Sequence, residues 1–258
     1  MRGLVFVLPV CLVACKGPPE APQELDELVG YLYAHVPDDD PAALEAGAVN
    51  LDEWLIERID ETLEGYTVDN LDQETVDGLE DEERPLDDLA GAAVGHVSEF
   101  DVDELIEAQL LDDVDEIYPG TYVSYEREEL TGTARCFVDH ECDWYETEIW
   151  ATQDFTFLTV ETNSRVQYRW VETPDGPAMI QRNWTRQPST VSLDWLEVEQ
   201  QYYLWMVLPE GGGSRNIQSM WVVAKLSGDE VDPDLALNMV IDSMQGLSAD
   251  LDKWVESK

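Results

Sequence analysis

From Thr121 to about Lys225 the chain alternates apolar and polar residues with period two, and β-branched and aromatic residues dominate. No other feature narrows the fold as much. Alternation sends successive side chains to opposite faces, so the stretch must form antiparallel sheet with at least one face needing a cover. Strands are predicted near Tyr122 to Leu130, Asp143 to Ala151, Phe155 to Glu161, Arg165 to Glu172, Ala178 to Arg186, Thr190 to Val198, Tyr202 to Leu208 and Ile217 to Lys225. The connections are short, and Thr173-Pro174-Asp175-Gly176-Pro177 and Gly211-Gly212-Gly213-Ser214 are strong turn sequences, so the strands form a meander.

The cover follows directly. Asp232 is a good N-cap, Pro233 suits the first helical position, and Asp234 sits well at the positive end of the helix dipole. Leu237, Val240, Ile241, Met244, Leu247, Leu251, Trp254 and Val255 then recur at spacings of three and four, one apolar stripe on a long helix. The last strand, Arg215 to Trp221, and the helix opening Pro233-Asp234-Leu235-Ala236-Leu237-Asn238-Met239-Val240-Ile241 together resemble the helix-grip fold of START-like lipid-transfer and ligand-binding domains. The resemblance covers about half the chain. It implies an α+β fold in which a curved antiparallel sheet wraps a carboxy-terminal helix and holds a hydrophobic or amphipathic ligand between them. The chain departs from that family in showing no helix pair after an early strand, and no catalytic motif accompanies the pattern.

Ahead of the period-two region the spacing is helical. Leu25, Leu28, Val29, Leu32 and Tyr33 predict a helix stopped by Pro37, and Leu51, Trp54, Leu55, Ile59 and Leu63 predict a second, capped by Asn50 or Asp52. Further helical pieces are predicted at Val68 to Leu79, Leu86 to Val97, where Gly91 and Gly95 weaken the helix, and Asp101 to Ile117. Acid concentrates here: 33 Asp and Glu against four Lys and Arg up to Ile117, then 24 against ten. Trp is skewed the other way, with Trp54 the only one of nine before Trp144. That shift places a domain boundary at Tyr118-Pro119-Gly120, between an acidic helical region, 24–117, and a β domain, 118–258. Eight Trp and a long apolar helix converging in the second part favour a ligand site there.

The amino terminus addresses the chain. Arg2, the apolar run Leu4 to Val13 and a small residue before a cut are the parts of an export signal, and the run is far short of the ~20 residues a membrane span needs. Its end, Leu12-Val13-Ala14-Cys15, resembles the lipobox of bacterial lipoproteins. The resemblance implies a signal peptide over 1–14, acylation such as palmitate at Cys15, and a bilayer partner reached through that lipid. The Pro-rich stretch to Gln23 would be an extended tether in a lipid-anchored envelope protein. Lys16 stands where Asp would resemble an inner-membrane retention signal, so the outer membrane is the expected location.

A net charge of -43 excludes nucleic acid and polybasic docking to anionic lipid as modes of binding. Cys11 leaves with the signal and Cys15 takes lipid, so Cys136 and Cys142 remain as an even pair in an oxidising compartment, and a disulfide across the five-residue loop between them is expected. His35, His96 and His140 are scattered, the acidic clusters lack calcium-loop spacing, and no cofactor motif is present, so neither a catalytic set nor a metal site is predicted. One constellation rises above that background. With Asp175-Gly176 as a two-residue loop, or Pro174 to Pro177 as a four-residue one, Arg169 lies opposite Arg182 and Arg165 opposite Arg186, on one face with Gln167 and Trp184. Like charges facing across a ladder need an anionic counterpart, which would be the acidic α half or a bound anion. The sequence thus describes a non-catalytic lipoprotein binding a hydrophobic ligand; the alternative is an envelope scaffold acting through protein contacts.

Overall fold

The computed structural model describes residues 20–80, 84–111, 113–155, 158–226, 229–230 and 233–258. The expected signal, Cys15, most of the tether and the cap Asp232 lie outside them.

Two helices come first, α1 (Leu25–His35) and α2 (Ala42–Arg58), followed by a 3-10 turn (Ile59–Thr62). The α1 stripe Leu25, Leu28, Val29, Leu32 and Tyr33 is buried as its spacing requires. Helix α2 starts at Ala42, well before the expected cap: Pro41 precedes it with the fixed φ of a helix entrance, and Leu44, Ala48, Leu51 and Leu55 form its buried stripe. Asn50 and Asp52 therefore sit inside the helix, where Asn50 Nδ2 donates to the carbonyls of Ala21 and Pro22 and Asp52 pairs with Arg215 at 2.8 Å.

Strand β1 (Tyr66–Val68), a short helix α3 (Gln73–Asp77) and strand β2 (Ala90–Ser98) come next. Here the expected helix over Leu86 to Val97 is corrected. Ala90-Gly91-Ala92-Ala93-Val94-Gly95 is a strand of small residues because bulk is excluded on one side. A Cβ on Gly91 would lie 2.4 Å from Trp221 Cδ1, and one on Gly95 would lie 2.3 Å from Thr62 Oγ1. Helices α4 (Val102–Leu111) and α5 (Val114–Ile117) follow β2. The helical stretch predicted at Asp101 to Ile117 is thus a helix pair that follows an early strand; what the sequence conceals is the strand β2, not the helices.

The remaining strands are β3 (Tyr122–Thr131), β4 (Trp144–Phe155), β5 (Leu158–Thr173), β6 (Gly176–Thr185), β7 (Thr190–Val191), β8 (Leu196–Glu210), β9 (Gly213–Leu226) and β10 (Asp229–Glu230). A short helix α6 (Ala134–Val138) interrupts them, and α7 (Pro233–Glu256) closes the chain. Two expected strands, Phe155 to Glu161 and Arg165 to Glu172, are one continuous strand, β5, and Thr190 to Val198 splits between β7 and the start of β8.

The sheet runs β1-β2-β9-β8-β6-β5-β4-β3, antiparallel at every pairing, with β7 on β5 and β10 on β9. Because β1 and β2 belong to it, the boundary expected at Tyr118 does not separate helices from sheet. The fold is the expected α+β arrangement of an antiparallel sheet on a carboxy-terminal helix, with a further layer. Helices α1 and α2 cover one face, where their side chains share a core with Ile180, Trp184, Leu204, Met206, Trp221 and Val223. Helices α4, α5 and α7 stand over the other.

Candidate functional site

Between the second face and α7 lies a cavity of about 600 Å³. Period two makes its floor: Val160, Thr162, Ser164, Val166 and Tyr168 of β5 alternate with residues that face α1 and α2, and Met220, Val222 and Ala224 do the same on β9. The roof is α7, whose stripe enters through Val240, Leu247 and Leu251, with Leu105 of α4 and Val114 of α5 closing one end. Three polar contacts tie the roof to the strands β2 and β9. Asp252 of α7 receives a hydrogen bond from Ser98 Oγ at 2.8 Å and lies 2.8 Å from His96 Nε2, while Gln218 Nε2 donates to Ser248 Oγ at 2.6 Å.

Among the polar side chains of the floor, which include Thr162, Ser164, Asn183 and Gln201, one set forms a line across the strands. The registers Tyr168↔Gln181, Gln181↔Trp205 and Trp205↔Gln218 place four polar-tipped side chains side by side, and His96↔Asn216 lies one step further along β9. All six line the cavity. Within this line Trp205 Nε1, Asn216 Oδ1 and Gln218 Oε1 are buried without a hydrogen-bond partner among the described residues. Leaving such a group unpaired costs about 1–3 kcal/mol each. Burial raises the phenols of Tyr118, Tyr122, Tyr168 and Tyr203, all on the cavity wall, above the ordinary tyrosine range, so they are neutral donors and acceptors there.

None of the four arginines singled out in the sequence lines this cavity. All four project from the opposite face of the sheet. Pro174-Asp175 forms the turn, closed by Thr173↔Gly176, so the register is displaced by two residues from the expected one: Gln167 faces Arg182, Arg165 faces Trp184, and Arg169 faces Ile180. A two-residue displacement keeps the face and removes the direct Arg–Arg oppositions, with Pro174 suited to the first central turn position. Arg169 Nη1 donates to Val36 O at 2.9 Å and to Asp38 O, and Arg182 donates to Tyr33 O at 3.0 Å and Gln167 Oε1 at 2.8 Å. Both thus fill orphan carbonyls at the end of α1, where the helix dipole is negative. Burial pushes the Arg182 guanidinium down from its ordinary value. Arg186 bridges Glu80 at 3.1 Å and Glu148 at 2.7 Å, Arg165 lies 3.3 Å from Glu146, and Trp184 Nε1 donates to Glu80 at 2.9 Å. Burial raises the Glu148 carboxyl, but bonds from Asn163 and Arg186 outweigh it and hold the group below the usual range.

The tryptophans do not converge on the cavity as expected. Trp205 lines it, whereas Trp54, Trp184 and Trp221 belong to the opposite core and Trp150 and Trp195 are 39% and 46% exposed. Cys136 and Cys142 are bridged as expected, with Cα atoms 5.6 Å apart, and Cys136 lies on α6, in a stretch between the predicted strands for which no element was predicted. Among the described residues no group of three or more His, Cys, Asp or Glu is placed to hold a metal ion. Sequence reasoning missed Gln181, Trp205, Asn216 and Gln218 as site residues. The available signal was weak: amide side chains at alternate positions of two strands, Gln181 and then Asn216 and Gln218, with polar as well as apolar neighbours on the other face.

No family model and no curated protein matches the chain. Among solved structures it is similar to a STAR-related lipid transfer protein fragment from Xanthomonas axonopodis, at 10% identity and TM-score 0.43, over 67% of this chain and 96% of that one. It is also similar to the lipid transfer and protein localization domain of human StarD13, at 12% identity and TM-score 0.41, over 79% and 95%. A third likeness is to the Zhui aromatase/cyclase of Streptomyces sp. R1128, at 14% identity and TM-score 0.39, over 65% and 91%. These are likenesses of outline at low identity; the fold and the cavity stand on this chain's own residues.

Proposed function

We propose that this chain is a lipid-anchored envelope protein that binds a hydrophobic or amphipathic ligand, without catalysis, between its sheet and α7. The observation that carries the reading is the cavity of about 600 Å³, within the range that holds small-molecule ligands, walled mainly by apolar side chains with polar groups at fixed places on its floor. The anchor rests on the lipobox-like Leu12-Val13-Ala14-Cys15. Anchor and cavity would together keep a carrier of poorly soluble molecules at a membrane surface. Two measurements test this. The full chain carrying Cys15→Ala should lose palmitate labelling and leave the membrane fraction, since several acyl chains hold a protein firmly at about 0.8 kcal/mol per buried CH₂. Unchanged fractionation sinks the anchor. The same chain should take up one equivalent of the neutral apolar dye Nile red, and Ser164→Phe, which puts a ring into the cavity, should weaken that uptake about tenfold. A protein that takes up no dye has no accessible ligand cavity.

A further inference from the structure

Resting on the cavity reading above, we propose that the ligand is an uncharged amphiphile whose polar end carries a hydrogen-bond donor, a hydroxyl or an amide N–H, and that Gln218, Asn216 and Trp205 receive it.

Three observations meet at this point. First, Trp205, Asn216 and Gln218 are 5%, 3% and 4% exposed, and each presents an unpaired polar atom while lining the cavity. Two of those atoms are acceptors and one is a donor. A hydroxyl supplies one donor and two lone pairs, so it answers both kinds at once, whereas an ether or ester supplies only acceptors. Second, the three are neighbours by construction. Trp205 and Gln218 are direct cross-strand partners, and Asn216 is two residues along the same strand and face. Gln218 is also held in place, because its Nε2 is committed to Ser248 of α7 and its Oε1 is left for something else.

Third, the wall is wrong for an anion. No Lys or Arg lines the cavity among the described residues; its carboxylates are Asp242 and Asp252, and the second is engaged by Ser98 and His96. A carboxylate or phosphate headgroup would enter without a cation to meet it and beside fixed negative charge. A cationic ammonium head could donate to Asn216 Oδ1 and Gln218 Oε1 but has no lone pair to accept from Trp205 Nε1, so it leaves that buried donor unmatched. A neutral hydroxyl accepts from Trp205 Nε1 and donates to Gln218 Oε1 or Asn216 Oδ1, and a primary amide, with two N–H donors and one carbonyl, meets all three.

The test is displacement of Nile red from the full Cys15→Ala chain by probes of one tail and three heads: hexadecan-1-ol, hexadecyl methyl ether and, at pH 8, hexadecanoate. The alcohol should displace the dye at about tenfold lower concentration than either of the others. Equal displacement by alcohol and ether, or better displacement by hexadecanoate, overturns the inference while dye uptake keeps the cavity reading alive. Failure to take up dye removes both. Two variants locate the effect. Gln218→Met keeps the side-chain length and should erase most of the advantage of the alcohol while leaving the ether unchanged; an advantage that survives intact overturns the assignment. Trp205→Phe removes the donor alone and should weaken alcohol and ether together by several-fold. Should thermal melts show that Gln218→Met does not fold, Trp205→Phe decides, because a ligand that ignores Trp205 Nε1 leaves both probes unchanged and overturns the proposal.

Discussion

The two faces of the sheet are built from the same strands and solve opposite problems. On the α1 and α2 side the charged groups find fixed partners: Arg169 and Arg182 reach through the core to the last carbonyls of α1, and Arg215 pairs with Asp52, although Arg215 Nε and Trp54 Nε1 have no partner among the described residues. On the α7 side uncharged amides and an indole are left without partners around a hollow. Polarity therefore does not mark the ligand face. The stronger charges lie where nothing can enter, and the weaker dipoles lie where something can. Burying a guanidinium is tolerable when its charge is paired and most of its donors are used, whereas an amide can wait for a ligand at modest cost.

The largest effect to test this contrast is alkaline. Tyr33 on the filled side and Tyr118, Tyr122, Tyr168 and Tyr203 on the hollow side all have phenols raised by burial. A group whose folded value is above its unfolded one, near 10, contributes stability that is complete below that pH and is lost as pH rises beyond it. At about 1.4 kcal/mol per pH unit per group, melting temperatures should fall steeply above pH ~10, and phenolate absorbance should appear with unfolding. Phenols that ionise at ordinary values in the folded protein would mean both faces are wetter than described. Added hexadecan-1-ol should delay the transition if it seals the hollow side.

Next is the double variant Arg169→Ala with Arg182→Ala, which strips the donors from the Tyr33, Val36 and Asp38 carbonyls. A loss of about 5 kcal/mol, or roughly 10–20 °C in Tm, is expected by calorimetry, with dye uptake retained at temperatures where the protein stays folded. Unchanged stability would make that face a vacant anion site and abolish the distinction between the faces.

A matched pair of insertions comes third. Ala178→Phe puts a ring into the filled core, where Ala178 is fully buried, and should cost about 3 kcal/mol; Ser164→Phe puts the same ring into the hollow and should cost less than about 1 kcal/mol. Equal costs would show that the hollow is closed in solution. Smallest is the Cys136–Cys142 bridge, which ties α6, whose Phe137 packs into the core on the α7 side, to the start of β4. Its removal in Cys136→Ser with Cys142→Ser should cost about 2 kcal/mol by denaturant titration, in a chain-entropy picture of so short a loop.

Much of this was legible in the sequence for a physical reason. The α1 stripe, the strands of the second half and the α7 stripe each repeat with the period of a single element, so local spacing suffices. The strand β2 was not legible, because its small residues answer to Trp221 and Thr62, far away in sequence, and nothing local says that a glycine is there to admit an indole. The arginine face was placed correctly and its register was not: alternation fixes faces, while one turn residue fixes pairings. The unpaired amides were invisible as a site because Asn216 and Gln218 alternate with Ile217 and Ser219, and a strand covered on both faces has no polar side by which to tell its inward residues apart.

The pairing of β2 with β9 also sets a clock. Residues 90–98 leave the ribosome, or any export channel, more than a hundred residues before their partner in 214–222. Until then the α1 and α2 stripe lacks most of the sheet it packs on, and β2 offers one edge only to the three residues of β1. Native pairings this distant in sequence make a chain slow to complete and leave its apolar surface open meanwhile. Fourteen acidic residues from Asp60 to Glu99, on a segment that must wait so long, would keep it repelling copies of itself until the last strand arrives.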